Sequence, residues 1–106
     1  MAIDQSDLAK WGKAYLEQLH EIMQVESIWL FGSRIRGDAT VESDLDVAVV
    51  SREFDGDYLD AYSKASGVFW HFETPCDIEI HGFSVNDFRD TDPLVEEIRG
   101  YGIQIL

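Results

Sequence analysis

Two short segments hold side chains whose types and spacing could do chemistry. Gly32-Ser33 is followed, after ten residues, by Asp44-Leu-Asp46, and further along comes Asp77-Ile-Glu79-Ile-His81. Carboxylates two positions apart on a strand project from the same face, with Cα atoms about 6.6 Å apart. At that spacing they can share hard divalent cations. Without a cation the two charges repel, which raises one pKa or costs stability, so a metal gives the pair a physical reason. Gly32-Ser33, at a turn from a strand into a helix, offers complementary chemistry. No Cβ keeps a ligand from the backbone at Gly32, and the Ser33 hydroxyl joins exposed N–H groups at the helix start, as in a phosphate cradle. Solvated carboxylates are common at strand ends, so Asp44 and Asp46 alone would carry little; the Gly-Ser pair and the later acidic strand give them weight.

Those groups need elements to position them. Leu8, Trp11, Tyr15, Leu19 and Ile22 follow a 3-4-4-3 spacing that predicts an amphipathic helix over residues 4 to 24, capped by Asp4 or Ser6. Residues 27 to 31 read as a buried strand running into the Gly32 turn, and residues 32 to 43 are polar and turn-rich. Residues 44 to 50 form a strand with Leu45, Val47 and Val49 on one face and Asp44, Asp46 and Ala48 on the other. Leu59, Tyr62, Ser66 and Phe69 predict a second helical stripe ending near residues 70 to 72, and Pro75 bars its continuation. Residues 76 to 81 alternate as a third strand, setting Asp77, Glu79 and His81 opposite Cys76, Ile78 and Ile80. A helical turn over residues 84 to 88, a helix capped by Asp92 with Pro93 first, and a short strand over residues 103 to 106 complete the chain. The expectation is one α/β domain over residues 1–106, a sheet of about four strands with packed helices. Strand order is left open, as is whether the strands flanking residues 32 to 43 run parallel or antiparallel. Trp11, Trp29 and Trp70 are expected in the core and Cys76 as an inert core residue. His81 is expected to be exposed or locally satisfied rather than part of the site.

The 106 residues suffice for one core without disulfide staples, and Cys76 is the single cysteine. The opening residues lack the basic start and apolar run of a signal peptide, no apolar stretch approaches a membrane span, and a cytoplasmic location is expected. Eight basic against 21 acidic residues give a net charge of −13, which repels phosphate backbones and anionic membranes. That charge serves solubility, or it meets a basic protein partner or bound divalent cations.

The Gly32-Ser33…Asp44-Leu-Asp46 block resembles the active-site signature of polymerase β-like nucleotidyltransferases, and the short chain resembles the minimal members of that superfamily. The leading helix, the Arg34-Ile-Arg-Gly-Asp38 turn, the third strand and the Ile98-Arg-Gly-Tyr-Gly-Ile103 ending extend the resemblance over nearly the whole chain. It implies their small fold with a mixed sheet. It further implies that Gly32 and Ser33 hold the triphosphate of ATP, that Asp44, Asp46 and Asp77 ligate two Mg²⁺ ions, and that Ser43 borders the nucleotide. Glu79 is the alternative third carboxylate; Arg34 and Arg36 are either phosphate contacts or solvated turn residues. In that reading Asp77 helps deprotonate an acceptor hydroxyl, which attacks the α-phosphate and expels pyrophosphate. Larger relatives hold the acceptor with a second domain, for which a partner would here substitute. The resemblance therefore implies the nucleotidyltransferase half of a two-gene module, an antitoxin that transfers AMP to a hydroxyl of a helical HEPN toxin. Two alternatives are a non-catalytic binding module that masks the toxin and a subunit that modifies a small molecule such as an aminoglycoside. Templated polymerisation fits the acidic chain poorly.

Overall fold

A computed structural model describes residues 4–89 and 91–106. Residues 1–3 and Asp90, part of the expected span 1–106, lie outside the described residues. Helix α1 (Gln5–Leu19) begins at Asp4, whose side chain accepts a hydrogen bond from the Ser6 amide. Strand β1 (Ser27–Phe31) runs into the one-turn helix α2 (Ser33–Arg36), and β2 (Leu45–Val50) returns beside β1. Helix α3 (Tyr58–Gly67) leads through a short 3₁₀ turn to β3 (Ile78–Phe83). Helix α4 (Pro93–Tyr101), capped by Asp92, precedes the short β4 (Ile103–Gln104).

The four strands lie in the order β3-β2-β1-β4. β1 pairs antiparallel with both β2 and β4, whereas β2 and β3 are parallel and connected across α3. The sheet is thus mixed, and the direction left open by the sequence around residues 32 to 43 is antiparallel. Alternation divides the apolar side chains into two layers. Leu8, Tyr15 and Leu19 of α1 and Ala61 and Ala65 of α3 pack with Ile28, Leu30, Leu45, Val47, Val49 and Ile80. On the opposite face Val95 and Ile98 of α4 pack with Phe31, Ala48, Val50 and Phe88. The Tyr15 hydroxyl donates to the Ala65 carbonyl at 2.6 Å, joining the two helices of the first layer.

Three features depart from the periodicity. α1 stops at Leu19, so Ile22 is exposed and Met23, a turn later, is buried in its place. The buried stripe of α3 is Ala61, Ala65 and the following Val68, while Leu59 is 76% exposed and Tyr62 faces outward. Small side chains let the helix approach the sheet closely, which bulkier residues at those positions would prevent. Trp70, expected in the core, is 92% exposed. Trp11 stacks on Tyr15 with ring centroids 5.3 Å apart, and Trp29 packs on Phe88. No helix among the described residues is long and apolar enough to cross a membrane.

Candidate metal and nucleotide site

The parallel register of β2 and β3 builds the site. It pairs Leu45 with Ile78, Asp46 with Glu79 and Ala48 with His81, and the Leu45 amide donates to the Asp77 carbonyl at 2.8 Å. Residues in register on parallel neighbours share a face. Asp46 and Glu79 therefore form one row and His81 stands one row further along beside Ala48, while Asp44 and Asp77 each come just before a strand. Asp46, Glu79 and His81 lie on the face that α4 covers elsewhere. Asp44, Asp77 and Glu79 are exposed and Asp46 is half-buried.

Gly32 closes the other side of Asp46. Phe31, its neighbour, is in register with Asp46 across the antiparallel pair. The Gly32 backbone has φ 86° and ψ −169°, a conformation essentially reserved for glycine. A Cβ there would collide with the Asp46 carboxylate. The absence of a side chain at position 32 is thus what lets the carboxylate lie against the turn. The Gly32 amide itself donates to the Tyr101 hydroxyl at 3.0 Å, so α4 holds the turn in place. Gln5 Nε2 of α1 reaches the Ile35 carbonyl at 2.6 Å and holds it from the other end.

The two arginines have structural partners. Arg34 Nε donates to the Ser43 carbonyl at 2.7 Å and its other arm to the Val41 carbonyl, bracing the segment that leads into Asp44. Arg36 pairs with Glu97 at 2.9 Å and Asp38 at 3.3 Å, and donates to Tyr101. Ser43 Oγ accepts from the Thr40 amide at 2.9 Å and so shapes the same loop. Ser33, at the first position of α2, is half-buried beside Gly32.

His81, expected to stand apart, belongs to this group. Its Nε2 lies 3.0 Å from Asp46 Oδ1 and 3.9 Å from Glu79 Oε2. The Phe31 ring packs against the imidazole with centroids 5.0 Å apart. The hydrogen bond to Asp46 raises the imidazole pKa above its ordinary value, opposed by partial burial, with the Asp46 and Glu79 charges adding to the rise. The one signal available in the sequence was alternation, which put His81 on the Asp77 face without saying what stood next to it. Cys76, two residues before β3, packs against the first apolar layer. Burial pushes its thiol pKa up, and the nearby charges of Asp44 and Asp77 add to that against the opposing effect of Arg34.

Among the described residues, Asp46, Glu79 and His81 form a group whose ligand atoms all lie within 4.8 Å of one another and could hold a metal ion. Asp44 and Asp77, which precede the two strands, are not part of that group. A donor set dominated by carboxylates suits divalent cations. The residues present therefore fit a divalent metal ion.

A small α/β fold with a mixed four-stranded sheet and a carboxylate face beside a Gly-Ser turn defines a nucleotide-handling class. The chain belongs to the polymerase beta nucleotidyltransferase family, which its residues 13–105 match. In fold it is similar to a candidate nucleotidyltransferase from Sulfolobus solfataricus, with a TM-score of 0.62 and 17% identity over 94% of this chain and 80% of that one. The crystal structure of another candidate nucleotidyltransferase aligns with a TM-score of 0.49 and 25% identity over 77% of this chain and 84% of that one. No curated protein matches the sequence significantly.

Proposed function

We propose that the protein is a metal-dependent nucleotidyltransferase that transfers AMP from ATP to a hydroxyl on a partner protein. One observation carries the reading: Asp46 and Glu79 stand in register on neighbouring strands with His81 beside them, in a group that could hold a metal ion, and Asp46 lies against the Gly32 turn. Asp44, Asp46 and Asp77 would hold Mg²⁺, with Glu79 the alternative to Asp77. Bound there, divalent cations would polarise the phosphates and neutralise the departing pyrophosphate. The chain's own residues do the rest. Gly32 and Ser33 seat the triphosphate, and Asp77 takes the proton of the acceptor hydroxyl. The hydroxyl oxygen bonds to the α-phosphorus as the bond to the β-phosphate oxygen breaks. The pairings of Arg34 and Arg36 favour supporting roles for both in shaping the loop and turn.

The partner reading draws support from the surface. Tyr58, Leu59 and Tyr62 are exposed on α3, and the net charge of −13 favours a basic protein. A helical toxin of the HEPN type, neutralised by this chain as an antitoxin, is the partner we propose.

The test is label transfer from ATP radiolabelled at the α-phosphorus, with Mg²⁺, in an extract of the source organism. Wild type is compared with the Asp44→Asn, Asp46→Asn double variant. A protein band labelled with wild type alone is expected. Label confined to small molecules moves the acceptor to that class, and no wild-type-dependent label in any fraction overturns the catalytic reading in favour of masking by contact.

A further inference from the structure

His81 adds a nitrogen donor to a face otherwise built of carboxylates, and its position is fixed by the backbone. Register sets it beside Ala48, one row beyond Asp46 and Glu79. The Phe31 ring packs against the imidazole from the side of β1. The result is a Nε2 atom 3.0 Å from Asp46 Oδ1 and 3.9 Å from Glu79 Oε2. A cation bonded to nitrogen and oxygen at about 2.0–2.2 Å holds neighbouring ligand atoms roughly 3.0–3.5 Å apart. The two separations bracket that range, and the exposed Glu79 can close the longer one by a side-chain rotation.

We propose that Asp46, Glu79 and His81 form a mixed nitrogen–oxygen metal position that takes manganese, cobalt or zinc in preference to magnesium. The proposal rests on the reading of this face as a metal site and extends it. Asp46 is common to both readings, and His81 carries the position one row further along the sheet from Asp46 and Glu79. Magnesium favours oxygen ligands and retains its waters, whereas an imidazole suits first-row transition metals.

The test uses the full chain, freed of metal by chelation and dialysis. Mg²⁺, Mn²⁺ and Co²⁺ are titrated calorimetrically, Co²⁺ binding is also followed by its visible absorption, and bound Mn²⁺ is probed by pulsed electron paramagnetic resonance. The expected results are tighter binding of Mn²⁺ and Co²⁺ than of Mg²⁺, and a nitrogen coupling to Mn²⁺. In His81→Asn that coupling disappears and Co²⁺ affinity falls by at least the roughly 10–100-fold that losing even an outer-sphere partner costs, with Mg²⁺ affinity unchanged. Glu79→Gln, at a side chain 57% exposed and so tolerant of replacement, lowers Co²⁺ affinity without disturbing the fold. Equal affinities for the three ions, or Co²⁺ binding indifferent to both substitutions, overturns the proposal. The parent reading is judged separately, by Mg²⁺ binding and label transfer that depend on Asp44. If those persist while the His81 signature is absent, only the mixed site falls. If the His81 signature is present without label transfer, the mixed site stands and the catalytic reading falls.

Discussion

Gly32 shows how one residue can serve both the fold and the chemistry. Its φ of 86° with ψ near −169° would strain any other residue by about 1–3 kcal/mol, and a Cβ would collide with the Asp46 carboxylate in addition. Gly32→Ala is therefore expected to lower the melting midpoint by roughly 10 °C or more and to abolish divalent-cation binding. Gly37 provides the comparison: its φ is 99°, but a Cβ there would meet nothing within 4 Å. Gly37→Ala should cost only the left-handed strain, about 1–2 kcal/mol, and leave cation binding intact. Thermal unfolding with and without metal checks both. Equal effects on cation binding would mean that the Gly32–Asp46 contact does not matter to the site.

At the scale of elements, α3 lies against the sheet through its smallest residues. Ala61 and Ala65 are buried while Leu59 is exposed, so apolar volume on this helix is a poor guide to its buried face. Ala65→Leu is expected to destabilise by about 1–3 kcal/mol through overpacking, whereas Leu59→Ala should stay within about 0.5 kcal/mol; chemical denaturation separates them. The same helix is tied to the turn after β2 by Lys64, whose Nζ lies 2.7 Å from Glu53 Oε1. Glu53 also accepts from the Gln24 amide, and the Lys64 bond followed by that amide holds its pKa below the ordinary 4.5. A carboxylate depressed on folding stabilises above its unfolded pKa and loses that contribution as pH falls through the folded value. Denaturation midpoints should thus fall more steeply below pH 4.5 in wild type than in Glu53→Gln. Parallel acid profiles would show that the contact is energetically silent.

For the whole molecule, a net charge of −13 acts against compaction through self-repulsion. Sodium chloride should raise the melting midpoint at low ionic strength by screening alone. Specific cation binding adds to this by mass action, about 2.7 kcal/mol at a hundred times the dissociation constant. Mn²⁺ at matched ionic strength is therefore expected to raise the midpoint further than sodium chloride does, and Asp46→Asn should lose that extra rise while keeping the salt response. A variant that keeps both would show that the divalent effect is diffuse rather than seated on the β2–β3 face.

Local rules written into the sequence determined the strand cores, the Asp92-Pro93 helix start and the sharing of a face by Glu79 and His81, because alternation and capping depend on near neighbours in the chain. The third strand, expected over residues 76 to 81, nevertheless starts at Ile78 and runs on to Phe83, leaving Asp77 before it. The Gly-Ser…Asp-Leu-Asp spacing likewise carried the family. The tertiary structure alone decided the strand order, the buried face of α3, the outward position of Trp70 and the partner of His81. These depend on how closely layers approach and on which residues of separate strands come into register. His81 meets Asp46 across 35 positions of sequence, a distance over which no periodicity reports.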